Sequence, residues 1–402
     1  MKNAEETNFI RDNDRQSDAS FSFKDLCCGC TACGLVCPTG AITMETDEEG
    51  FFYPYIDPYK CIGCNKCRET CAFSRAVSSC GSVERKQAEP RSPTIYAVQH
   101  LDTRIRAASR SGGFFSALSD LVLDSGGVVY GCVLTDELNA VHIRCEGKAD
   151  RDRMRGSKYV QSDLKACFRV VKADLDAGRL VLFSGTPCQV EGLLSVVGSA
   201  EELITMDILC HGVQSPRVLK QYLSWQGKRN HSIVRSIDFR NKRKFGWRDH
   251  VETLYFKNGK EVDSRVYTAL FYSLLFIRPS CYVCPYRKVH HSADFTVGDF
   301  WGIENMAPEF DDNKGTSLVM LNNKKSEELF DRIKDSLFIK QVDLNDTVQA
   351  SLTKGYKEPP EREAAWHEFD SLSFDRFLSK RLNYGRMNNL VSRIKRFVII
   401  AD

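Results

Sequence analysis

Cys27-Cys28-Gly29-Cys30-Thr31-Ala32-Cys33-Gly34-Leu35-Val36-Cys37-Pro38 and, after a short insert, Cys61-Ile62-Gly63-Cys64-Asn65-Lys66-Cys67-Arg68-Glu69-Thr70-Cys71 decide the fold of the amino-terminal part of this chain. Each stretch runs C-x2-C-x2-C-x3-C. A [4Fe–4S] cube needs one thiolate per iron. A tight loop supplies three of them through its two C-x2-C steps, and the last cysteine of each run reaches across to the other cube. Cys27, Cys30, Cys33 and Cys71 are therefore assigned to one cube, and Cys61, Cys64, Cys67 and Cys37 to a second. The cysteine after each x3 step is expected to open a short helix, and Pro38, with its fixed φ, suits that turn. Structural zinc is the competing use of such residues, but it prefers paired C-x2-C steps without the third cysteine and the trailing x3-C. Cys28 is out of phase and reads as a spare thiol.

The doubled run is the spacing of bacterial two-cluster ferredoxins. Residues 23–76 therefore form a ferredoxin-like module, with 41–44 and 51–54 as short flanking strands. Residues 1–22 read as a disordered arm. Residues 77–93, rich in Ser, Pro and charge, read as a linker, and Cys80 within them receives no role. At 402 residues the chain should hold more than one domain, since typical domains are about 100–200 residues. The chain's 17 cysteines would signal disulfides in a small secreted protein; arranged as metal ligands, they point to the reducing cytosol instead. The polar start of the chain has no signal-peptide core, and no stretch reaches the roughly 18 apolar residues of a membrane span. A net charge of +3 is too small to argue for nucleic acid.

From Thr94 onward the pattern alternates. Strands are expected at 95–98, 128–134, 141–145, 180–184, 203–209, 294–298 and 317–321. Helices are expected at 113–123, 163–176, 188–196, 216–226 and 268–277. An antiparallel group is expected at 233–239, 250–256 and 262–266. The fold class is thus α+β: the small ferredoxin-like domain, a larger mixed α/β domain over 94–340, and a largely helical extension over 341–402.

Four further cysteines stand out. Cys188 and Cys210 each follow a predicted core strand, where ligands of open α/β sheets collect. Cys281 and Cys284 repeat the C-x2-C step and the trailing proline. Together they can hold a third [4Fe–4S] cube; buried inert cysteines and a Cys281/Cys284 dithiol are the alternatives. Arg110-Ser111-Gly112-Gly113 and Gly185-Thr186-Pro187 precede predicted helices and can either cap them or hold phosphate. There is no G-x-G-x-x-G and no P-loop lysine. Lys158, in Gly156-Ser157-Lys158-Tyr159, can meet a phosphate or a flavin edge, or be a solvated loop residue. The basic run 240–248 is a solvated loop or a grip on an anionic ligand. His290-His291 lacks a third ligand, which favours a surface or supporting role over zinc.

The ordered stretches 111–118 (SGGFFSAL), 156–162 (GSKYVQS), 185–193 (GTPCQVEGL), 210–216 (CHGVQSP), 281–287 (CYVCPYR) and 293–302 (ADFTVGDFWG) resemble the beta-subunit family of coenzyme F420 hydrogenases and dehydrogenases, here behind a two-cluster ferredoxin module. The resemblance implies an FAD-containing iron–sulfur oxidoreductase, with the third cube at Cys188, Cys210, Cys281 and Cys284. It implies a flavin pocket that uses Ser111, Gly112, Gly113, Ser157, Lys158, Tyr159 and Thr186. Lys158, His211 and Asp299 are the candidate catalytic groups, and Trp301 shares the GDFWG motif with Asp299. Coenzyme F420 or another hydride carrier is the implied substrate, and a redox protein or small redox cofactor the implied partner. Bacterial members also resemble polysaccharide-locus proteins. A subunit that transfers electrons without a substrate of its own is the alternative function. The basic, apolar end Leu390–Ile400 is a candidate for peripheral membrane contact.

Overall fold

In the computed structural model of the protein, which describes residues 24–78, 92–344, 347 and 349–384, the cysteine-rich segment folds around an antiparallel hairpin. Its strands are β1 (Ile42–Thr46) and β2 (Phe52–Ile56), with Ile42 opposite Ile56. Asp47 closes the turn by accepting from the Phe51 amide at 2.8 Å, and Phe51 and Tyr53 point into the core. The two cysteine runs repeat one local shape: Thr31 (φ 66°) and Asn65 (φ 58°) are both left-handed and lead into the helices Ala32–Val36 and Lys66–Thr70. The helix expected after each x3 step forms only once, as Ala72–Ser78 after Cys71. After Cys37 the chain turns through left-handed Gly40 into β1 instead.

The larger unit is built on eight strands: β3 (Thr94–His100), β4 (Val128–Leu134), β5 (Ala140–Cys145), β6 (Val181–Gly185), β7 (Leu203–Ile208), β11 (Phe295–Asp299), β12 (Ser317–Leu321) and β13 (Leu337–Val342). Their order is β13-β3-β12-β11-β7-β6-β4-β5. The inner strands β11, β7, β6 and β4 are parallel, and antiparallel strands flank them. The inner strands are near-continuous apolar runs because both faces are covered. Helices Phe114–Asp124 and Lys324–Ile333 cover one face through Leu118, Val122 and Phe330. Helices Cys167–Asp176 and Pro187–Val197 cover the other through Phe168, Val190 and Leu193.

A second sheet, β8 (Val234–Asp238), β9 (Glu252–Phe256) and β10 (Glu261–Ser264), packs with helix Pro216–Arg229. Helices Arg362–Ser371 and Phe374–Leu382 add Trp366, Phe369, Phe374 and Phe377 to the same core. The extension expected to be largely helical from 341 thus begins inside strand β13, whose pairing with β3 runs from Leu337 opposite His100 to Val342 opposite Ile95. The helix expected from 163 begins at Cys167, because Asp163 is still engaged in a bridge to Val141. The helix expected to reach 277 stops at Tyr272, ahead of left-handed Leu274. The arm 1–22, most of the linker 77–93, Cys80 and the stretch Leu390–Ile400 lie outside the described residues.

Candidate functional site

The cysteine-rich module sits against the helix that Pro187 opens. A Cβ on Gly192 of that helix would lie 2.7 Å from Cys30 Cβ and 2.8 Å from its sulfur, so only glycine admits the first cysteine run here. Cys27, Cys30, Cys33 and Cys71 gather in this region. Burial raises the thiol pKa values of Cys27 and Cys33; repulsion from neighbouring members of the set adds to this, and at Cys27 the Arg278 charge opposes it. Ser74 Oγ donates to Cys71 Sγ at 3.3 Å. Cys37, Cys61, Cys64 and Cys67 line a single cavity of ≈330 Å³, and the Ala41 amide donates to Cys37 Sγ at 3.3 Å. Cys61 and Cys64 are exposed, so this second seat opens at the surface beside exposed Tyr59 and Ile62.

Cys188, Cys210, Cys281 and Cys284 also converge. Burial, reinforced by repulsion from others of the set, pushes the thiols of Cys210, Cys281 and Cys284 up to about 12. Three sulfurs with raised proton affinity, beside Cys188, whose thiol pKa is lowered by a hydrogen bond from Cys28, suit positive charge among them. A bound metal would supply that charge and displace the protons. Cys28, read from the sequence as spare, lies beside both Cys30 and Cys188. It therefore stands between the first and third seats.

The parallel strands β4, β6, β7 and β11 end on one edge of the sheet, and a cavity of ≈270 Å³ opens there. Such carboxyl edges are where open α/β sheets bind ligands. Its wall includes Ser111, Gly113, Ser157, Lys158, Tyr159 and Thr186 from the sequence-predicted set, together with His211, Asp299 and Trp301. Gly112 is absent from the wall. Its amide donates to Ser317 Oγ at 2.9 Å, and a Cβ there would sit 2.0 Å from the Val98 carbonyl, so it packs the loop onto the sheet. Lys158 is tied to the carbonyls of Arg153, Met154 and Arg155 at 3.0–3.1 Å. Burial brings its pKa down to about 8. Asp299 is held at about 2 against the opposing effect of burial by Arg240 and Arg110, and Trp247 Nε1 donates to it at 2.7 Å. Burial lowers His211 to about 4, and its Nδ1 faces the Tyr356 hydroxyl at 2.6 Å.

Sequence reasoning placed Arg110 only beside a glycine-rich helix start and left the run 240–248 as a solvated loop or an anion grip; the structure brings Arg110 and Arg240 together in the cavity wall. Arg110 donates one nitrogen to the Arg240 carbonyl, while its Nε and Nη2 have no hydrogen-bond partner among the described residues; the same holds for Arg240 Nε. The basic run 240–248 was the available signal. Its Arg240, Lys242 and Trp247 are buried, while Arg243, Lys244 and Arg248 are the outward-facing members. Trp301 stacks on Trp247 with centroids 4.7 Å apart, and the Arg240 guanidinium lies 4.9 Å from the Trp301 ring. His291, expected at the surface or in support, is half-buried with its side chain 4% exposed, and its Nδ1 meets Asp207 at 2.6 Å.

Residues 26–74 match the 4Fe-4S dicluster domain, and residues 178–347 match the family described as the carboxy-terminal part of the coenzyme F420 hydrogenase/dehydrogenase beta subunit. Over residues 178–347 the chain is similar to this coenzyme F420 hydrogenase/dehydrogenase beta-subunit family. One subunit of the F(420)H(2) dehydrogenase of Methanosarcina mazei is 24% identical to it over 331 residues, which cover 78% of this chain and 84% of that one. A chain of the F420-reducing [NiFe] hydrogenase complex from Methanosarcina barkeri, solved in a xenon-derivatised form, superposes with a TM-score of 0.43 and 16% identity, covering 73% of this chain and 94% of that one. The family match spans Cys188, Cys210, Cys281, Cys284 and Asp299. It stops short of Tyr356, which reaches His211 from the carboxy-terminal extension. The two matches are thus to an iron–sulfur domain and to an oxidoreductase family. Among the described residues no helix is long and apolar enough to cross a membrane.

Proposed function

We propose that this protein is an iron–sulfur flavoprotein that exchanges a hydride at FAD in the strand-edge cavity and passes single electrons outward through three [4Fe–4S] cubes. The supporting observation is Cys210. It belongs to the third cysteine set and also lines the cavity, so the hydride site and the first one-electron carrier share a wall. The cavity suits a large anionic, aromatic ligand: Arg110 and Arg240 bring unpartnered buried nitrogens, and Tyr159, Phe271, Tyr272 and Trp301 bring ring surface. A bound flavin supplies the exchange between two-electron and one-electron chemistry.

The chain's own groups do the rest in this reading. Arg110 and Arg240 balance the ligand's negative charge. Asp299, held ionised, orients Arg240 and Trp247 rather than serving as a proton acceptor. His211 stays neutral and presents its ring to the cavity edge, steadied by Tyr356. Lys158 braces the 153–158 loop through three carbonyls. The domain limits 23–76 and 94–340 and a reducing, cytosolic setting belong to this proposal. So does docking to a protein partner at the open seat of Cys61 and Cys64.

Anaerobic purification with iron and flavin assays tests the proposal. Reduced deazaflavin and other hydride donors are then offered with a dye acceptor. Dye reduction with bound flavin supports an enzyme. Bound flavin with no response to any donor moves the function to an electron-transfer subunit that takes its electrons from a partner. Iron-loaded protein that takes up no flavin after reconstitution overturns the flavin assignment.

A further inference from the structure

Arg278 is fully buried, yet it belongs to neither the cysteine sets nor the cavity wall. Its guanidinium enters the module: Nε donates to the Cys27 carbonyl at 2.7 Å, and Nη2 donates to the Phe52 carbonyl at 3.0 Å and to Cys27 Sγ at 3.6 Å. The plane lies 4.0 Å from the Tyr53 ring centroid. Nη1 has no hydrogen-bond partner among the described residues, and it points at Gly29, inside the first cysteine run. The backbone of the same residue belongs to the other seat. Its carbonyl accepts from the Cys281 amide at 2.9 Å, and its amide donates to the Val213 carbonyl at 3.0 Å. One residue therefore shapes the turn that carries Cys281 and places a fixed positive charge in direct contact with Cys27, and within reach also of Cys28, Cys30, Cys188 and Cys281.

We propose that Arg278 is a positioning residue for electron transfer, raising the reduction potential of the cube at Cys27, Cys30, Cys33 and Cys71 so that it draws electrons from the cube at Cys188, Cys210, Cys281 and Cys284. This rests on the three-cube reading above. The step is the movement of one electron: the third cube is oxidised, the first is reduced, and no bond is made or broken. Reduction adds a negative charge to a cube that is already anionic. A buried guanidinium, which stays protonated, favours that added charge, and hydrogen bonds to ligand sulfur act in the same direction. A charge on the structural bridge between the two seats acts on the electron where it crosses from one domain to the other.

The test is an anaerobic redox titration, followed by electron paramagnetic resonance, of the wild-type protein and of Arg278→Gln and Arg278→Lys. In Arg278→Gln one cube becomes harder to reduce by about tenfold in its one-electron equilibrium, about 59 mV, while the exposed cube at Cys61 stays put. Arg278→Lys, which keeps the charge, recovers most of the shift. Wild-type protein labelled with 15N-arginine gives a guanidinium hyperfine coupling to a reduced cube, a measurement that needs no variant to fold. Unchanged potentials in Arg278→Gln at full iron and sulfide content, or no arginine coupling in the labelled protein, overturn the role of Arg278. A shortfall of iron in the wild type overturns the three-cube reading instead.

Discussion

Arg362 grips both carboxylate oxygens of Glu49, joining the carboxy-terminal extension to the hairpin turn of the cysteine-rich module. Both side chains are largely buried, at 10% and 15% exposure. Two further contacts reinforce the junction: Arg217 Nη1 donates to the Glu48 carbonyl at 2.7 Å, and Ser215 Oγ donates to the Glu49 carbonyl. Removing one partner of a buried pair strands the other charge and costs about 3–5 kcal/mol. Arg362→Ala should therefore lower the stability of the anaerobic holoprotein by about 3 kcal/mol, the lower end because some exposure remains. A urea midpoint indistinguishable from wild type would remove this clamp from the account.

Crossed ligation makes a separable pair of predictions. Cys71→Ser should weaken the cube that Cys27, Cys30 and Cys33 hold, and Cys37→Ser the one at Cys61, Cys64 and Cys67. Iron analysis should give about twelve atoms per chain for the wild type and about eight for Cys281→Ser. Iron content in Cys281→Ser equal to that of the wild type would overturn the assignment of Cys281 to a third cube.

The unpartnered nitrogens of Arg110 predict a charge dependence of ligand capture. Arg110→Ala should weaken FAD retention at least tenfold, about 1.4 kcal/mol. Arg110→Lys should lie between, because it keeps the charge but loses the planar fork. Fluorescence titration of the reconstituted apoflavin form measures this. Equal affinity across all three proteins would place the flavin's charged part elsewhere.

His142 supplies the pH dependence. Its Nε2 lies 3.1 Å from the Ser184 carbonyl, and burial lowers its pKa from the usual 6.5 to about 4. Above 6.5 the ring is neutral in both folded and unfolded chains, so its contribution is fully present. As pH falls from 6.5 through 4 the unfolded chain takes up the proton first, and stability declines by about 3 kcal/mol. His142→Gln should flatten this slope in urea titrations between pH 7 and pH 5. An unchanged slope would assign the acid sensitivity to other groups.

Much of the central sheet was legible. Val128–Leu134 and Ser317–Leu321 are strands over the full expected ranges, because runs buried on both faces leave a strong local signal. Strand β13 was missed: Leu337–Val342 is a half-exposed edge whose identity depends on pairing with β3, more than two hundred residues earlier. The cavity was half legible. Loop residues such as Ser157 and Tyr159 carry a recognisable local pattern, whereas Arg110, Arg240 and Arg278 look like ordinary surface charges until their burial is known.

Local spacing alone determined which cysteines can share a cube, since two-residue steps bring successive thiolates within reach of one inorganic core whatever surrounds them. Chain folding over hundreds of residues decided the rest. It set the first and third seats on either side of Cys28, buried Arg278 between them, and put Cys210 in the wall of the strand-edge cavity. Burial and electric field depend on everything packed nearby, and no short stretch of sequence carries that information.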